Sequence, residues 1–147
     1  MDFRFSDEEE AFRDEIRAEP PQRRRRARVR PIDDPQVRHK LAELRIEFTV
    51  GRILSYRVAW MQGQGLVPNS EASIAKLYST ELQSRFALTA LGLTGQAGVL
   101  ARGSAHAPLD GRFAAYYLAA ASYTIAAGTS EVQRNIIAQR GLGLPRD

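Results

Sequence analysis

The chain has 147 residues, enough for one domain with a single modest core. It contains no cysteine and two histidines, which excludes a disulfide framework, a thiolate metal site and a histidine-built metal centre. The formal net charge is +4, but six arginines between positions 23 and 30 exceed that total, so the remainder of the chain is mildly acidic. No apolar run reaches membrane-spanning length, and Met1 is followed by acidic residues, so we expect a cytoplasmic protein rather than a secreted one.

The first 19 residues predict a short helix. Ser6 stands at a capping position, and Glu9 follows it at the spacing of a capping box. Phe12 and Ile16 lie four residues apart on one face, which is enough apolar surface to dock on another element but too little to stand alone.

Residues 20–35 have the composition of a linker. Four prolines flank or interrupt this stretch, and the arginine run lies inside it. Exposed arginines can bind phosphate backbones, but this run has no interleaved aromatic residues and no nucleic-acid motif. We therefore interpret it as a solvated linker and do not expect a nucleic-acid partner.

A long helix is predicted from about Gln36 to Gln62. Its apolar residues form one periodic set, and Arg38, Lys40, Glu43 and Arg45 are expected on the outer side. Gly51 lies inside this helix, where it suggests a close crossing with a neighbour. The apolar set comprises Val37, Leu41, Leu44, Phe48, Ile53, Tyr56 and Trp60.

Two further helices follow. The first is predicted to begin with Asn69 or Ser70 as its cap and to end near Leu93. After a glycine-punctuated segment and a loop at 104–111, a shorter alanine-rich helix is predicted from Arg112 to Ala121. No strand-like alternation occurs, so the fold class predicted for residues 36–147 is an all-α, antiparallel four-helix-type bundle.

The stretch from Thr124 to Leu144 contains the most informative pattern. Gly128-Thr129-Ser130-Glu131 is a helix start: the glycine permits the turn, Thr129 or Ser130 can cap, and Glu131 places negative charge in the first turn. Arg134 and Arg140 are expected to face outward, and Gly141 to end the helix. Local physics favours an ordinary capped helix, with a site for an anionic or carbonyl ligand as the alternative.

The segment Gly128-Thr-Ser-Glu-Val-Gln-Arg-Asn-Ile-Ile-Ala resembles the signature near the C-terminus of the acyl-CoA dehydrogenases. The resemblance implies that Thr129, Ser130 and Glu131 approach a flavin (FAD) and that Gly128 lies beside the acyl thioester. In many members the residue before this glycine is the catalytic glutamate. In this chain that position is Ala127, so the resemblance implies no catalytic residue there.

Other segments carry the same resemblance: the opening 15 residues from Phe3, Lys40-Leu-Ala-Glu-Leu, Arg52-Ile-Leu-Ser-Tyr-Arg and Glu71-Ala-Ser-Ile-Ala-Lys-Leu. The Phe3 segment resembles the family's opening helix, and the other three motifs support the family's C-terminal helical domain over about residues 31–144. The Gly-Leu-Gly-Leu-Pro-Arg ending matches a branch in which some members work as complexes of unlike subunits.

The chain also departs from the family. Only the opening helix of the first helical domain is represented, and the β-domain and the helix that begins the C-terminal domain are missing. The family's flavin-contacting Arg would fall near Arg25, inside the proline-rich arginine tract, and its Gln near Gln36, or at Pro35 when matched from Lys40; neither role is carried over. Of the family's paired-glycine segment, Gly95 and Gly98 remain. The abrupt join suggests an internal deletion or a frame error, which the DNA would decide.

Two functions remain open at this point. The first is an acyl-CoA dehydrogenase-like protein of lipid metabolism, truncated or non-catalytic, which contributes flavin-edge and subunit contacts as a homo-oligomer or beside intact dehydrogenase subunits. The alternative is a free-standing helical interaction module whose arginine arm binds an acidic partner. The other glutamates, Glu43, Glu47, Glu71 and Glu81, have simpler interpretations as helix-surface residues than as a base.

Overall fold

The computed structural model describes Glu10, Ala11 and Asp14 together with residues 30–146. The chain divides into two units between Arg30 and Pro31. Glu10, Ala11 and Asp14 are helical and exposed, and the rest of the predicted N-terminal helix and the arginine run before Arg30 lie outside the described residues. The described part contains no strand and no helix long and apolar enough to cross a membrane.

The second unit is built from four α-helices. They are α1 (Pro35–Gly63), α2 (Asn69–Thr94), α3 (Arg112–Tyr123) and α4 (Ser130–Ile136), with a π-helical turn at Ile137–Gly141 and 3₁₀ turns at Pro31–Asp33, Gly95–Val99 and Pro108–Gly111. The predicted all-α bundle is confirmed, and the predicted spans of the first three helices agree with the observed ones to within two residues at each end.

The first helix begins where its sequence requires. Asp34 is the N-cap, and its Oδ1 accepts the backbone N–H of Gln36 at 2.8 Å. Pro35 occupies the first helical position, where its missing N–H costs no intrahelical bond. At the far end Gly65 takes a left-handed φ of 72°, and the N–H of Leu66 donates to Met61 O at 2.9 Å, which closes the helix.

The predicted cap of α2 is wrong. Pro68 is the N-cap and provides no side-chain hydrogen bond, while Asn69 and Ser70 are already helical. Asn69 Oδ1 instead accepts from Arg140 Nη1 at 2.7 Å, and Ser70 Oγ donates to Glu71 at 3.2 Å. The side-chain oxygen of Asn69 therefore accepts a hydrogen bond from Arg140 in the C-terminal segment and does not cap α2.

Helix α2 lies at the centre of the bundle and packs against α1, α3 and α4. The core is made largely of small side chains, with Leu82, Ala87, Ala90 and Ala120 among its buried members. Such residues let helix backbones approach closely.

Aromatic and charged contacts join the three longest helices. Phe86 of α2 makes edge-to-face contacts with Phe48 of α1, at a centroid distance of 6.0 Å, and with Tyr116 of α3, at 5.9 Å. Ion pairs link α1 and α2 at two levels, Glu47 with Arg85 (3.1 Å) and Arg57 with Glu71 (3.6 Å).

The single apolar face predicted for α1 is wrong. Only Leu44 and Gly51 are buried, seven residues apart on the side that packs on α2. Ile53, Tyr56 and Trp60 lie on the far side of the helix, where more than half of each residue is exposed. Helix α1 carries apolar residues on two opposite sides, and one periodic set drawn through all of them merges the two.

Gly51 lies at the predicted close crossing. A Cβ at this position would meet the ring of Tyr78 at 3.5 Å and Leu82 Cδ2 at 3.8 Å, both ordinary van der Waals distances. The α1–α2 approach is therefore close enough to exclude a large side chain but has room for one methyl group.

We expect Gly51→Ala to raise the free energy of unfolding by roughly 0.5–1 kcal/mol, because alanine is the better helix former and its methyl fits. Gly51→Leu should lower it by about 1–3 kcal/mol through overpacking. Denaturant unfolding measures both changes. Gly92→Ala is the matched control, since no atom lies within 4 Å of its Cβ and it reports helix propensity alone. If Gly51→Ala lowers the free energy of unfolding and Gly92→Ala does not, the space between α1 and α2 at Gly51 is too small for a methyl group, contrary to the distances given above.

Candidate functional site

The segment before α4 forms a left-handed turn followed by a capped helix start. Ala127 and Gly128 have φ values of 56° and 94°. Of the two predicted capping residues Thr129 is the cap, and its Oγ1 accepts the N–H of Val132 at 3.3 Å. Ser130 is buried, and its backbone N–H donates to Thr124 O at 3.1 Å.

Two side chains hold the turn by its carbonyl groups. Lys76 Nζ, from α2, donates to Gly128 O at 2.6 Å, and Nε2 of the buried Gln133 donates to Ala127 O at 3.0 Å. Hydrogen bonds from a charged donor are among the stronger ones in proteins. No local sequence pattern predicts either contact, because Lys76 lies 52 positions from its acceptor and Gln133 occupies an ordinary helix position.

An ion pair also connects helix α4 with α2. Arg134 Nη2 lies 2.5 Å from Glu81 Oε1, and the Arg140–Asn69 hydrogen bond described above holds the following turn. Both arginines are exposed, as predicted, but each also has a partner on α2. The candidate segment is therefore fixed at its turn, its helix and its end.

The side chain of Glu131 is 78% exposed. Its own backbone N–H and then the Thr129 hydroxyl lower the pKa of this carboxyl below its ordinary value; burial opposes them, and the charge of Arg134 adds a smaller lowering effect. A lowered pKa makes the carboxylate a weaker proton acceptor. Glu131 is thus suited to a charged or hydrogen-bonding contact and poorly suited to proton abstraction.

The position before Gly128 presents no proton acceptor. Ala127 is exposed and offers a methyl group. The glutamates considered as alternatives are engaged elsewhere, in the ion pairs Glu47–Arg85, Glu71–Arg57 and Glu81–Arg134. Glu43 pairs with Lys40 at 3.0 Å and lies 3.4 Å from His39. These pairings support the surface roles predicted for the glutamates.

The exposed edge of the segment carries polar groups. The Thr129 oxygen accepts from the N–H of Val132, its hydroxyl donates to the Glu131 carboxylate, and that carboxylate is exposed. The backbone N–H groups of Ser130 and Gln133 are already used within the segment. Ala127, Glu131 and Val132 are all exposed, so these residues form an open edge rather than an enclosed site.

A separate cleft of about 480 Å³ lies between α1, α2 and α3. Phe48, Gly51, Leu82 and Tyr116 form its apolar part. The Tyr116 hydroxyl donates to Gln83 Oε1 at 3.3 Å, and burial, with a smaller effect of Tyr123, raises the pKa of Tyr116. None of residues 127–131 lines this cleft.

The model of the acyl-CoA dehydrogenase C-terminal domain matches residues 18–142. The chain belongs to the acyl-CoA dehydrogenase family.

Among curated relatives, it is 34% identical over 122 residues to acyl-CoA dehydrogenase FadE26 and 31% identical over 123 residues to acyl-CoA dehydrogenase IpdE1, both of Mycobacterium tuberculosis. These matches cover 80% and 82% of this chain and 30% of each relative.

Solved structures give the same assignment. The bundle superposes on the Tcur3481–Tcur3483 steroid acyl-CoA dehydrogenase with a TM-score of 0.76 and 27% identity. On the ChsE4–ChsE5 complex of Mycobacterium tuberculosis the TM-score is 0.74 and the identity 35%. Each match covers 80% of this chain and 30% of the other chain, so the acyl-CoA dehydrogenase helical domain is what these proteins share with it.

We expect Ala127→Gly to raise the free energy of unfolding by roughly 1 kcal/mol, because an L-residue in the left-handed region is strained and glycine is not. Ala126→Gly is the matched control: its φ is not positive, so glycine should lower stability by about 0.5–1 kcal/mol. Thermal or denaturant unfolding of the two variants provides the measurement. Equal effects of the same sign would mean that the turn at Ala127 is not left-handed.

Proposed function

We propose that this chain is a non-catalytic acyl-CoA dehydrogenase-type domain that contributes flavin-edge and subunit contacts to an assembly. The observation that carries the proposal is Ala127, an exposed methyl group at the position where the family resemblance expects the catalytic glutamate. The family reaction is the FAD-dependent α,β-dehydrogenation of acyl-CoA thioesters.

The chemistry explains why this position matters. The reaction removes an α-proton while a hydride leaves the β-carbon, so it requires a base close to the substrate. A methyl group cannot accept a proton, and Glu131 is held as a weakly basic carboxylate by its own N–H and by Thr129. A positioned general base increases the rate by a factor on the order of 10²–10⁴. This segment has no such base.

We assign the flavin contact to Thr129, Ser130 and Glu131 and the acyl-thioester contact to Gly128. Thr129 caps the helix and hydrogen-bonds the Glu131 carboxylate, Glu131 supplies an exposed carboxylate, and Ser130 fixes the helix start through its bond to Thr124. Lys76 and Gln133 keep the turn rigid by holding the carbonyls of Gly128 and Ala127. FAD, when bound, supplies the hydride acceptor.

The proposed partners are further copies of this chain or intact acyl-CoA dehydrogenase subunits, in the cytoplasm. Two structural relatives support a partner protein, because they are named as the ChsE4–ChsE5 complex and as Tcur3481–Tcur3483. The latter is named a steroid acyl-CoA dehydrogenase, which favours a steroid-derived acyl-CoA as the substrate of the assembly.

The purified chain, supplied with FAD, should not reduce an electron-acceptor dye with straight-chain or steroid-derived acyl-CoA. Ala127→Glu alone should not restore activity, because one carboxylate on an open edge has no enclosed flavin beside it. The measurement is anaerobic dye reduction, with an intact acyl-CoA dehydrogenase as the positive control. Acyl-CoA-dependent turnover by the unaltered chain would overturn the proposal.

A further inference from the structure

The buried polar residues of the part of the chain that the structure describes all lie at one junction, between α2 and α4. They are Ser73, Ser130 and Gln133, and their exposed fractions are 6%, 8% and 6%. Every other buried position among the described residues is apolar or glycine. Burying a polar side chain costs free energy unless the side chain is hydrogen-bonded. The junction therefore has to supply hydrogen-bond partners for these three side chains.

Ser73 lies on the face of α2 that packs against the candidate segment. Asn69, Ser73 and Lys76 follow one another at intervals of four and three residues, so they share one face of the helix. Asn69 accepts a hydrogen bond from Arg140, near the end of the candidate segment. Lys76 donates to the carbonyl of Gly128, near its start. Ser73 lies between these two contacts on α2 and therefore faces the candidate segment.

Ser130 and Gln133 approach the same junction from the other side. They are the buried residues of α4, they lie three positions apart on one face, and α2 is the long helix against which α4 packs. Their backbone N–H groups already donate to Thr124 O and Thr129 O. The groups still to be satisfied are therefore side-chain atoms.

Three side-chain atoms at this junction make no hydrogen bond within the described residues: Ser73 Oγ, Ser130 Oγ and Gln133 Oε1. Of the Gln133 amide, only Nε2 is bonded, to Ala127 O at 3.0 Å. The threonines of α2, by contrast, all donate to carbonyls of the preceding helical turn. Buried polar groups that lie close together and beyond direct hydrogen-bond reach are characteristic of a bridging water molecule.

We propose that the α2–α4 junction binds one internal water molecule, hydrogen-bonded by Ser73 Oγ, Ser130 Oγ and Gln133 Oε1. A water molecule both donates and accepts, so it can satisfy two hydroxyls and one amide oxygen at the same time. Internal waters in proteins typically make about three such bonds. The three side chains carry no charge, so their chemistry selects a small neutral ligand and not an ion.

This water holds the candidate segment against α2. When Gln133 Oε1 is bonded to water, the amide keeps its Nε2 directed at Ala127 O. Through the same water, Ser73 connects the middle of α2 to Ser130 at the start of α4. The Lys76 contact is the direct link between the two elements, and the water supplies a second one. The inference goes beyond the proposed function, because the site needs neither flavin nor a partner, and its failure leaves the flavin-edge proposal standing.

The first test compares Ser73→Ala with Ser79→Ala in the full chain by denaturant unfolding. Ser79 also lies on α2, but at the open cleft between α1, α2 and α3, so its change to alanine reports helix propensity alone. Because Ser73→Ala removes one bond to the water, the equilibrium constant for folding should fall about 5- to 10-fold relative to Ser79→Ala. A hydroxyl without a partner would give the opposite sign, since its removal stabilises the fold.

A double-mutant cycle tests whether the two hydroxyls share one water. Ser130→Ala should also lower the folding constant. The variant with both changes should lose less than the product of the two single effects, because the same water is lost only once.

Oxygen-17 magnetic relaxation dispersion of the solvent detects the site directly, since it reports water molecules that stay inside the protein longer than the protein tumbles. The double variant should hold one long-lived water fewer than the unaltered chain, and Ser79→Ala should hold the same number. Far-UV circular dichroism checks that each variant is folded.

Three results would overturn the proposal. The first is a Ser73→Ala variant that gains more stability than Ser79→Ala. The second is a double variant whose loss equals the product of the two single losses. The third is an equal dispersion amplitude in the unaltered chain and the double variant.

Discussion

Helix α2 is the element on which the second unit depends, because α1, α3 and α4 all pack against it. Its buried residues are mostly small, so each neighbouring helix approaches closely and is then fixed by a few specific contacts. The Phe48–Phe86–Tyr116 series spans three helices, and Lys76 reaches from α2 to the turn before α4. The geometry of the candidate segment is therefore a property of the bundle rather than of the short helix that contains it.

The sequence was sufficient where the determining interactions are local. The spans of α1, α2 and α3, the crossing at Gly51 and the cap at Thr129 follow from periodicity, glycine placement and cap chemistry. The cap of α2 was predicted wrongly at Asn69, because the side chain of Asn69 bonds to Arg140, 71 positions later, and not to the start of its own helix. The Lys76 and Gln133 contacts with the turn were missed for the same reason, since each depends on tertiary placement.

The apolar pattern of α1 could not be divided correctly from the sequence. A helix with apolar residues on two opposite sides has the composition of a buried helix, but within residues 31–146 α2 covers only one side of α1. The apolar residues on the other side of α1, Ile53, Tyr56 and Trp60, are more than half exposed as a result of that mismatch.

The central claim is that the segment from Ala127 to Glu131 is a rigid flavin-contacting edge completed by another subunit. Sedimentation velocity followed at the flavin absorption band tests it most directly. With the chain and FAD alone, the account predicts little or no flavin in the sedimenting protein. Adding intact acyl-CoA dehydrogenase subunits should shift the chain into a larger, flavin-bearing species. Stoichiometric FAD that sediments with the chain alone and is bleached by acyl-CoA would contradict the account.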